Sequence, residues 1–197
     1  MKKLSTCLFL LLFSLQTSSL ADDISDFQIE GMSIGDSLLD YFSEEEITNK
    51  KKILKEAEIK RNEEFAYLEI FDLLEAYDKV RAMFKTKDKK YKIYKLHGII
   101  WYENNINDCY KKKNTIVSQL TEIFKSVPRQ DIKDKKIVWD ESGKSKRSSV
   151  DFNFISGDYA SISCYDWSKE MKYADHLRVS FITKEYKNWI IELSSNP

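Results

Sequence analysis

Apolar residues recur at every second position along several segments, and this period of two constrains the fold more than any other feature of the sequence. Side chains on a β-strand point alternately to opposite faces, so each such segment predicts a strand. The links between the segments are short and polar, which favours antiparallel pairing because parallel pairing needs long crossovers. The predicted strands cover residues 65–71, 80–84, 91–102, 150–154, 160–164 and 177–181, with a further short strand at 137–139 and a bulge at Gly98.

One long segment has the helical period instead. Its apolar residues fall at steps of three and four from Ile106 to Phe124, Asn105 can cap its start, and Pro128 prevents its continuation. Four shorter helices are predicted as well. They follow Asp36 or Ser37, begin at a Ser43–Glu46 capping box, cover the charged segment 50–64, and include Tyr186, Trp189, Ile190 and Leu193 near the C-terminus.

These elements predict an α+β fold in which helices pack on one face of an antiparallel meander sheet. The order of a helix followed by a meander occurs twice. We therefore interpret residues 22–197 as a single domain with two possible halves, 27–103 and 104–197. No repeat is visible at the level of individual residues, so a duplication is a hypothesis only.

Residues 1–21 have the pattern of a secretory signal peptide. Lys2 and Lys3 provide the positive start, an apolar run extends from Leu4 to Leu15, and cleavage is expected after Ala21. The alternative is an uncleaved membrane anchor, although the run is short for a bilayer span of roughly 20 residues. We expect a periplasmic or secreted protein without a membrane span after cleavage.

The charge balance indicates no strong electrostatic partner. Residues 1–21 contain two of the 32 basic residues and none of the 32 acidic ones, so residues 22–197 carry a formal charge of −2. No excess of positive charge predicts binding to nucleic acid. The 5 glycines also make a dinucleotide-binding fold or a phosphate-binding loop improbable.

Two cysteines, Cys109 and Cys164, remain after removal of the predicted signal. In an exported protein an even pair of cysteines predicts a disulfide, which here would close a loop of about 55 residues and contribute on the order of 4 kcal/mol. Two buried free thiols, or a reactive thiol or metal site, are the alternatives.

The sequence contains no recognisable catalytic or metal-binding motif. No cofactor or metal is therefore expected. His97 lies within a predicted strand, where a hydrogen-bonded structural histidine is the simpler interpretation. Asp166, Glu170 and Asp175 lie in a loop after Cys164 and are interpreted as solvated, because they lack the alternating ligands and the glycine of a calcium loop.

Aromatic residues make up 13% of the chain, and some are expected on the outer face of the sheet. Amphipathic aromatic side chains on such a face are enriched at interaction surfaces. Covering the sheet or pairing across strands is the alternative role. The candidate interaction face consists of Tyr94, Tyr102, Tyr159 and Tyr165.

The segments 27–39, 41–47, 108–113 and 164–171 resemble a group of secreted proteins of AT-rich marine alphaproteobacteria that has no known activity. This resemblance implies export, and the two cysteines lie in the corresponding motifs of that group. The run Met32-Ser-Ile-Gly-Asp-Ser-Leu38 before a short helix is more distantly similar to small periplasmic domains such as the BamE lipoprotein and the beta-lactamase inhibitor folds. That similarity implies a helix-plus-meander binding module without catalysis.

The sequence therefore predicts a non-catalytic periplasmic module that binds a protein or another envelope component. The alternative is a hydrolase or small-ligand binder with a pocket built on His97 and carboxylates. The identity of the partner and the oligomeric state do not follow from the sequence.

Overall fold

A computed structural model describes residues 23–53, 64–72, 74–103 and 105–195. The predicted signal peptide and most of the predicted helix 50–64 lie outside these residues. The helices are α1 (Glu44–Lys50), α2 (Ile106–Ile123) and α3 (Lys184–Ser195), together with 3-10 turns at Ile24–Asp26, Leu38–Asp40 and Lys169–Met171. The strands are β1 (Gln28–Ile29), β2 (Met32–Ser33), β3 (Lys52–Ile53), β4 (Phe65–Ile70), β5 (Lys79–Lys85), β6 (Lys95–Trp101), β7 (Arg129–Lys136), β8 (Lys146–Asn153), β9 (Tyr159–Asp166) and β10 (His176–Ile182).

Eight of the strands form one antiparallel sheet in the order β3-β4-β5-β6-β10-β9-β8-β7. This order consists of two four-stranded meanders, each preceded by a helix, that join where β6 pairs with β10. The predicted α+β class is therefore confirmed. The arrangement matches the expected order of elements in the two halves, while their origin by duplication stays a hypothesis.

The main hydrophobic core lies on one face of this sheet. It contains the inward residues of α2, buried residues of the segment 24–47, and the inward residues of the long strands other than the exposed edge strand β7. The second half contributes Leu177, Val179 and Phe181 from β10 and Ala160, Ile162 and Cys164 from β9. A phenylalanine cluster closes the end of α2, where the Phe27 and Phe124 ring centroids lie 4.7 Å apart.

The predicted disulfide is confirmed. Cys109 in the first turn of α2 is bonded to Cys164 on β9, with the two Cα atoms 6.0 Å apart. Both residues are fully buried. The bond therefore attaches the longest helix to the middle of the second meander.

The last helix lies on the opposite face from α2. Tyr186 and Trp189 of α3 pack against Phe65, Met83 and Ile182, whose side chains point away from the main core. The expectation that the helices share one face is therefore correct for α2 and the N-terminal segment but not for α3. The short α3 covers only one end of its face, which leaves the other end open.

Three local predictions differ from the structure. Gly98 forms no bulge, because it pairs in regular register with Val80 and Val179. Residues 137–139 lie in a loop, and the strand that precedes them is the polar β7. Within the predicted helix 50–64, Lys50 ends α1 and Lys52–Ile53 pairs with β4 as a short strand.

The Ser43–Glu46 capping box is present at the start of α1, as predicted. No helix in the described part of the chain is both long enough and apolar enough to cross a membrane.

Candidate functional site: a basic and aromatic cleft

A cleft of about 680 Å³ occupies the part of the sheet face that α3 leaves open. Its floor is formed by side chains of β5, β6, β10, β9 and β8. Its walls come from residues 135–139 and from the segment 172–174 between β9 and β10. Residues from both meanders line the cleft, so it exists only because β6 and β10 pair.

Strand register explains how the floor residues meet. Trp101 lies opposite His176, which lies opposite Tyr165, which in turn lies opposite Arg147. Because side chains at paired positions of a sheet share a face, these four form one continuous row across the sheet. In the neighbouring row, Lys79 and Arg178 both lie opposite Ile99, one on each side.

Basic side chains dominate the lining of the cleft. They include three of the five arginines in the chain. The seven basic residues are Lys79, Arg81, Lys135, Lys136, Arg147, Lys172 and Arg178, and Glu103 is the only carboxylate among the described residues that line the cleft. The described part of the cleft therefore has a large surplus of positive charge in a chain that is neutral overall.

Pairing with carboxylates removes little of this surplus. Glu69 accepts hydrogen bonds from Lys52, Lys79 and Arg81. Burial disfavours ionisation of Glu69, but the hydrogen bonds from Lys52 and Arg81 outweigh it and lower the pKa of the carboxyl to about 2. The other five basic residues of the lining form no ion pair with any described carboxylate.

Arg178 is held in place by aromatic and imidazole groups instead of by an acid. Its guanidinium carbon lies 4.5 Å from the ring centroid of Tyr165, and Nη1 donates to the Tyr165 hydroxyl at 3.3 Å. Nη2 lies 3.2 Å from His176 Nε2. Since these contacts leave its charge uncompensated, Arg178 is positioned to attract an anion.

The contacts of His176 fix its tautomer. A guanidinium can only donate hydrogen bonds, so Nε2 of His176 accepts from Arg178, and Nδ1 of the neutral ring carries the proton toward the Ala174 carbonyl oxygen at 3.0 Å. The indole Nε1 of Trp167 lies 3.3 Å from Nδ1, but in this tautomer the contact is not a hydrogen bond, because both nitrogens carry a proton. Burial, followed by the charge of Arg178, lowers the pKa of His176 to about 4. The imidazole is therefore neutral at pH 7.

His97 lies beside the cleft, on the floor between Arg81 and Ser180. Burial is the main cause that lowers its pKa well below the usual value, and the charges of Arg178, Lys95, Arg81 and Lys79 act in the same direction. It is buried, as a structural histidine should be, but neither ring nitrogen has a hydrogen-bond partner among the described residues. The predicted hydrogen-bonded state of His97 is therefore not what the structure shows.

Aromatic rings form a contact series along the cleft. The ring of Tyr165 stacks on His176 at 4.7 Å and on Trp167 at 5.7 Å. Trp167 in turn contacts Trp139 and Tyr173, each at 5.1 Å between ring centroids. Three of the four tryptophans of the chain line this site.

A rigid loop holds Trp139 at the rim. The carboxylate of Asp140 accepts from the backbone N–H groups of Ser142 at 3.0 Å and Ser145 at 2.8 Å. Hydrogen bonds from Ser145 are the largest cause that lowers the pKa of Asp140 below its usual range. The Ser145 hydroxyl also accepts from the backbone N–H of Ser168, which links this loop to the one that carries Trp167.

The four predicted interaction tyrosines do not share one surface. Tyr165 lines the cleft, whereas Tyr94 and Tyr159 pack at the α3 end of the sheet. Tyr102 is half-buried against the main core on the other face. The interaction face built on all four residues is therefore replaced by a site that includes only one of them.

The acidic residues predicted as a solvated loop have separate roles. Asp175 accepts from the backbone N–H of Trp167 at 2.8 Å, and Glu170 pairs with Lys144. Burial raises the pKa of Asp166, which lies on the side of β9 that faces α2. Within the described residues no group of three potential metal ligands occurs.

Sequence reasoning missed the cleft arginines and tryptophans, although the chain offered a signal. In a protein with 27 lysines, each arginine is an unusual choice, and Arg81 and Arg178 alternate with apolar residues on predicted strands. Reading the polar face of each strand as carefully as its apolar face would have singled them out.

Comparison of the chain with known protein families, with functionally characterised proteins and with solved structures finds no match. The function is therefore argued from the geometry of the cleft.

Proposed function

We propose that this protein is an exported, non-catalytic binding module that holds a negatively charged envelope component in the basic and aromatic cleft. The observation that carries the proposal is the set of lining arginines and lysines without a carboxylate partner among the described residues. Arginine recognises carboxylate, sulfate or phosphate groups through two parallel hydrogen bonds, so such a lining favours anions over neutral ligands.

Binding is favoured over catalysis by the chemistry of the lining. The described lining includes no serine, threonine, cysteine or aspartate that could serve as a nucleophile. Its one histidine, His176, already donates to a backbone carbonyl and accepts from Arg178. Glu103 lacks a second carboxylate in the lining for acid–base work.

Export is supported by two independent features. The first 21 residues have the composition of a signal peptide. The disulfide between Cys109 and Cys164 is of the kind that persists in oxidising compartments. A periplasmic or secreted location places the cleft among the anionic polymers of the cell surface.

Titration with dextran sulfate, with neutral dextran as the reference polymer, tests the proposal. We expect dextran sulfate to quench or shift the fluorescence of the cleft tryptophans, with an affinity that falls as salt is added. Arg178→Ala should weaken binding about tenfold, since a charge-assisted hydrogen bond contributes roughly 1.5 kcal/mol.

Arg129→Ala is the matched control. Arg129 is also an arginine, but it pairs with Asp131 on the edge strand β7 and does not line the cleft. Binding should be the same in this variant as in the wild type. Equal weakening by both substitutions, or no binding of dextran sulfate at low salt, would refute the proposal.

A further inference from the structure

We infer that the ligand is a linear acidic polysaccharide with one carboxylate per disaccharide, lying across the strands of the sheet. This inference rests on the proposed function and names its ligand class. It follows from the spacing of the basic side chains and from the placement of the exposed aromatic side chains.

The basic side chains of the cleft floor recur on every second strand, whereas Lys135 and Lys136 of the neighbouring strand β7 belong to the wall. Lys79 lies on β5, Arg178 on β10 and Arg147 on β8, and one strand separates each from the next. Neighbouring strands lie about 4.8 Å apart, so these cationic positions recur at about 10 Å. All three residues line the cleft and share a face of the sheet, with Lys79 and Arg178 in one row and Arg147 in the neighbouring row.

A regular interval of this kind suits a chain with a regular repeat of negative charge. In an extended polysaccharide with one uronate per disaccharide, the carboxylates recur once for every two sugar rings, an interval of about two strand spacings. A compact anion would satisfy only one of the three positions. A polymer with a charge on every sugar would place half of its charges over floor strands that contribute no basic residue to the cleft.

The aromatic residues give a second reason for an extended ligand. Trp101 stands at one end of the series of rings, and Trp139 and Tyr173 stand at the other. These three side chains are exposed, with 36%, 60% and 56% of their surfaces accessible. Each can pack against the apolar C–H face of a sugar ring while the acidic groups reach the arginines between them.

The contacts of Tyr165, in the middle of this series of rings, argue against single-stranded nucleic acid as the ligand. Such a ligand needs successive free ring faces on which its bases stack. Here the ring of Tyr165 already contacts the rings of His176 and Trp167 and the guanidinium of Arg178, so it is not free to stack on a base. The described cleft thus offers rings at its two ends and cations between them.

Calorimetric titration with hyaluronate oligosaccharides tests this inference, because hyaluronate carries one carboxylate per disaccharide. Polygalacturonate, with a carboxylate on every sugar, and poly(dT) serve as the comparison polymers, each at the same concentration of charge. We expect hyaluronate to bind at least about tenfold more tightly than either.

Variants test whether the spaced cations act together. Arg147→Ala and Arg178→Ala should each weaken hyaluronate binding about tenfold. Arg147→Lys keeps the charge and the fold but loses the bidentate fork, so its loss should be smaller. Arg129→Ala should have no effect, and thermal midpoints show whether each variant is folded.

The outcomes separate the two proposals. If poly(dT) or polygalacturonate binds as tightly as hyaluronate, with the same dependence on Arg178, the ligand class is wrong and the anion-binding function stands. If hyaluronate binding does not depend on Arg147 or Arg178, the spaced arginines do not bind the carboxylates of the polymer, and the inferred ligand class is wrong. If neither these polymers nor dextran sulfate binds, both proposals fail.

Discussion

At the scale of single residues, Gly98 shows how one position fixes the centre of the sheet. The ring of Tyr77 lies directly over its backbone, and a Cβ atom built on Gly98 would lie 2.3 Å from Tyr77 Cδ1. The segment before β5 is held there by Glu30, whose carboxylate accepts from the N–H groups of Ala76 at 2.8 Å and Tyr77 at 3.0 Å. The ring therefore cannot move away easily.

Gly98→Ala should consequently lower the free energy of unfolding by about 1–3 kcal/mol, the usual cost of forcing an extra methyl group into a packed site. Urea denaturation measures this loss. In a double-mutant cycle with Tyr77→Ala, the cost of Gly98→Ala should largely disappear, because the clashing ring is gone. An equal cost in both backgrounds would show that the Tyr77 contact is not the cause.

The two histidines make stability dependent on pH. A histidine has a usual pKa of 6.5, whereas burial and Arg178 lower that of His176 to about 4, and the pKa of His97 is also lowered, chiefly by burial. Between the usual pKa of histidine and the lowered pKa in the folded protein, the unfolded chain binds more protons than the folded one. The free energy of unfolding must therefore fall as the pH falls through this range.

We expect this loss to begin near pH 6.5 and, for His176, to continue to about pH 4, with a slope of at most about 1.4 kcal/mol per pH unit for each histidine. Urea denaturation at a series of pH values measures it. His176→Gln should reduce the slope and leave the contribution of His97. A slope that His176→Gln does not change would mean that His176 is not neutral in the folded protein.

At the scale of elements, α2 depends on its covalent attachment to β9. Its buried stripe is narrow and includes Cys109, Val117 and Leu120 together with the aliphatic part of Lys113. Burial lowers the pKa of the Lys113 ammonium, which shows that this side chain is carried toward the core at some cost. The disulfide compensates for this modest apolar face.

Replacing both Cys109 and Cys164 by alanine should lower the free energy of unfolding by about 4 kcal/mol, as expected for a closed loop of this length. Denaturation of the variant and of the wild type gives the difference. Wild-type protein unfolded in the presence of a reductant is the control and should match the variant. An unchanged unfolding midpoint would show that packing alone holds α2.

The elements that sequence reasoning predicted well are those with a buried face. The period of α2 placed its start at Ile106 and its end within a residue of Ile123, because the helix must turn one side to the core. Strand β7 was missed because Arg129–Lys136 is an exposed edge strand with no buried side and therefore no alternation. Its charged residues are typical of a protected edge.

The cleft was missed for a different reason. Its residues lie on several strands, and their proximity depends on the lateral strand order, which local periodicity does not encode. Trp101 and His176 are 75 positions apart, yet they face each other because β6 pairs with β10. Tyr165 was predicted because it lies on the face opposite the apolar residues Ile162 and Cys164, whereas its neighbours on that face were not singled out.

At the scale of the whole molecule, the pairing of β6 with β10 unites the two meanders. Seven residue pairs join these strands, from His176 opposite Trp101 to Ile182 opposite Lys95. The main core is also continuous across this junction, with Leu96 of the first meander and Phe181 of the second in one cluster. Neither meander can expose its edge at this junction without uncovering that cluster.

We therefore expect the described domain to unfold in a single cooperative transition. Far-ultraviolet circular dichroism reports on the whole sheet, while tryptophan fluorescence reports mainly on the cleft and on Trp189 beneath α3. Two-state unfolding requires that both probes give the same urea midpoint and the same slope.

Phe181→Ala, at the junction, should shift both curves together by about 3–5 kcal/mol in the free energy of unfolding, since it opens a cavity in the shared core. Lys111→Ala, on the exposed side of α2, is the control and should move neither curve. Separate midpoints for the two probes would mean that the meanders are independent units, and a cleft built from both would then lose its floor whenever either one opened.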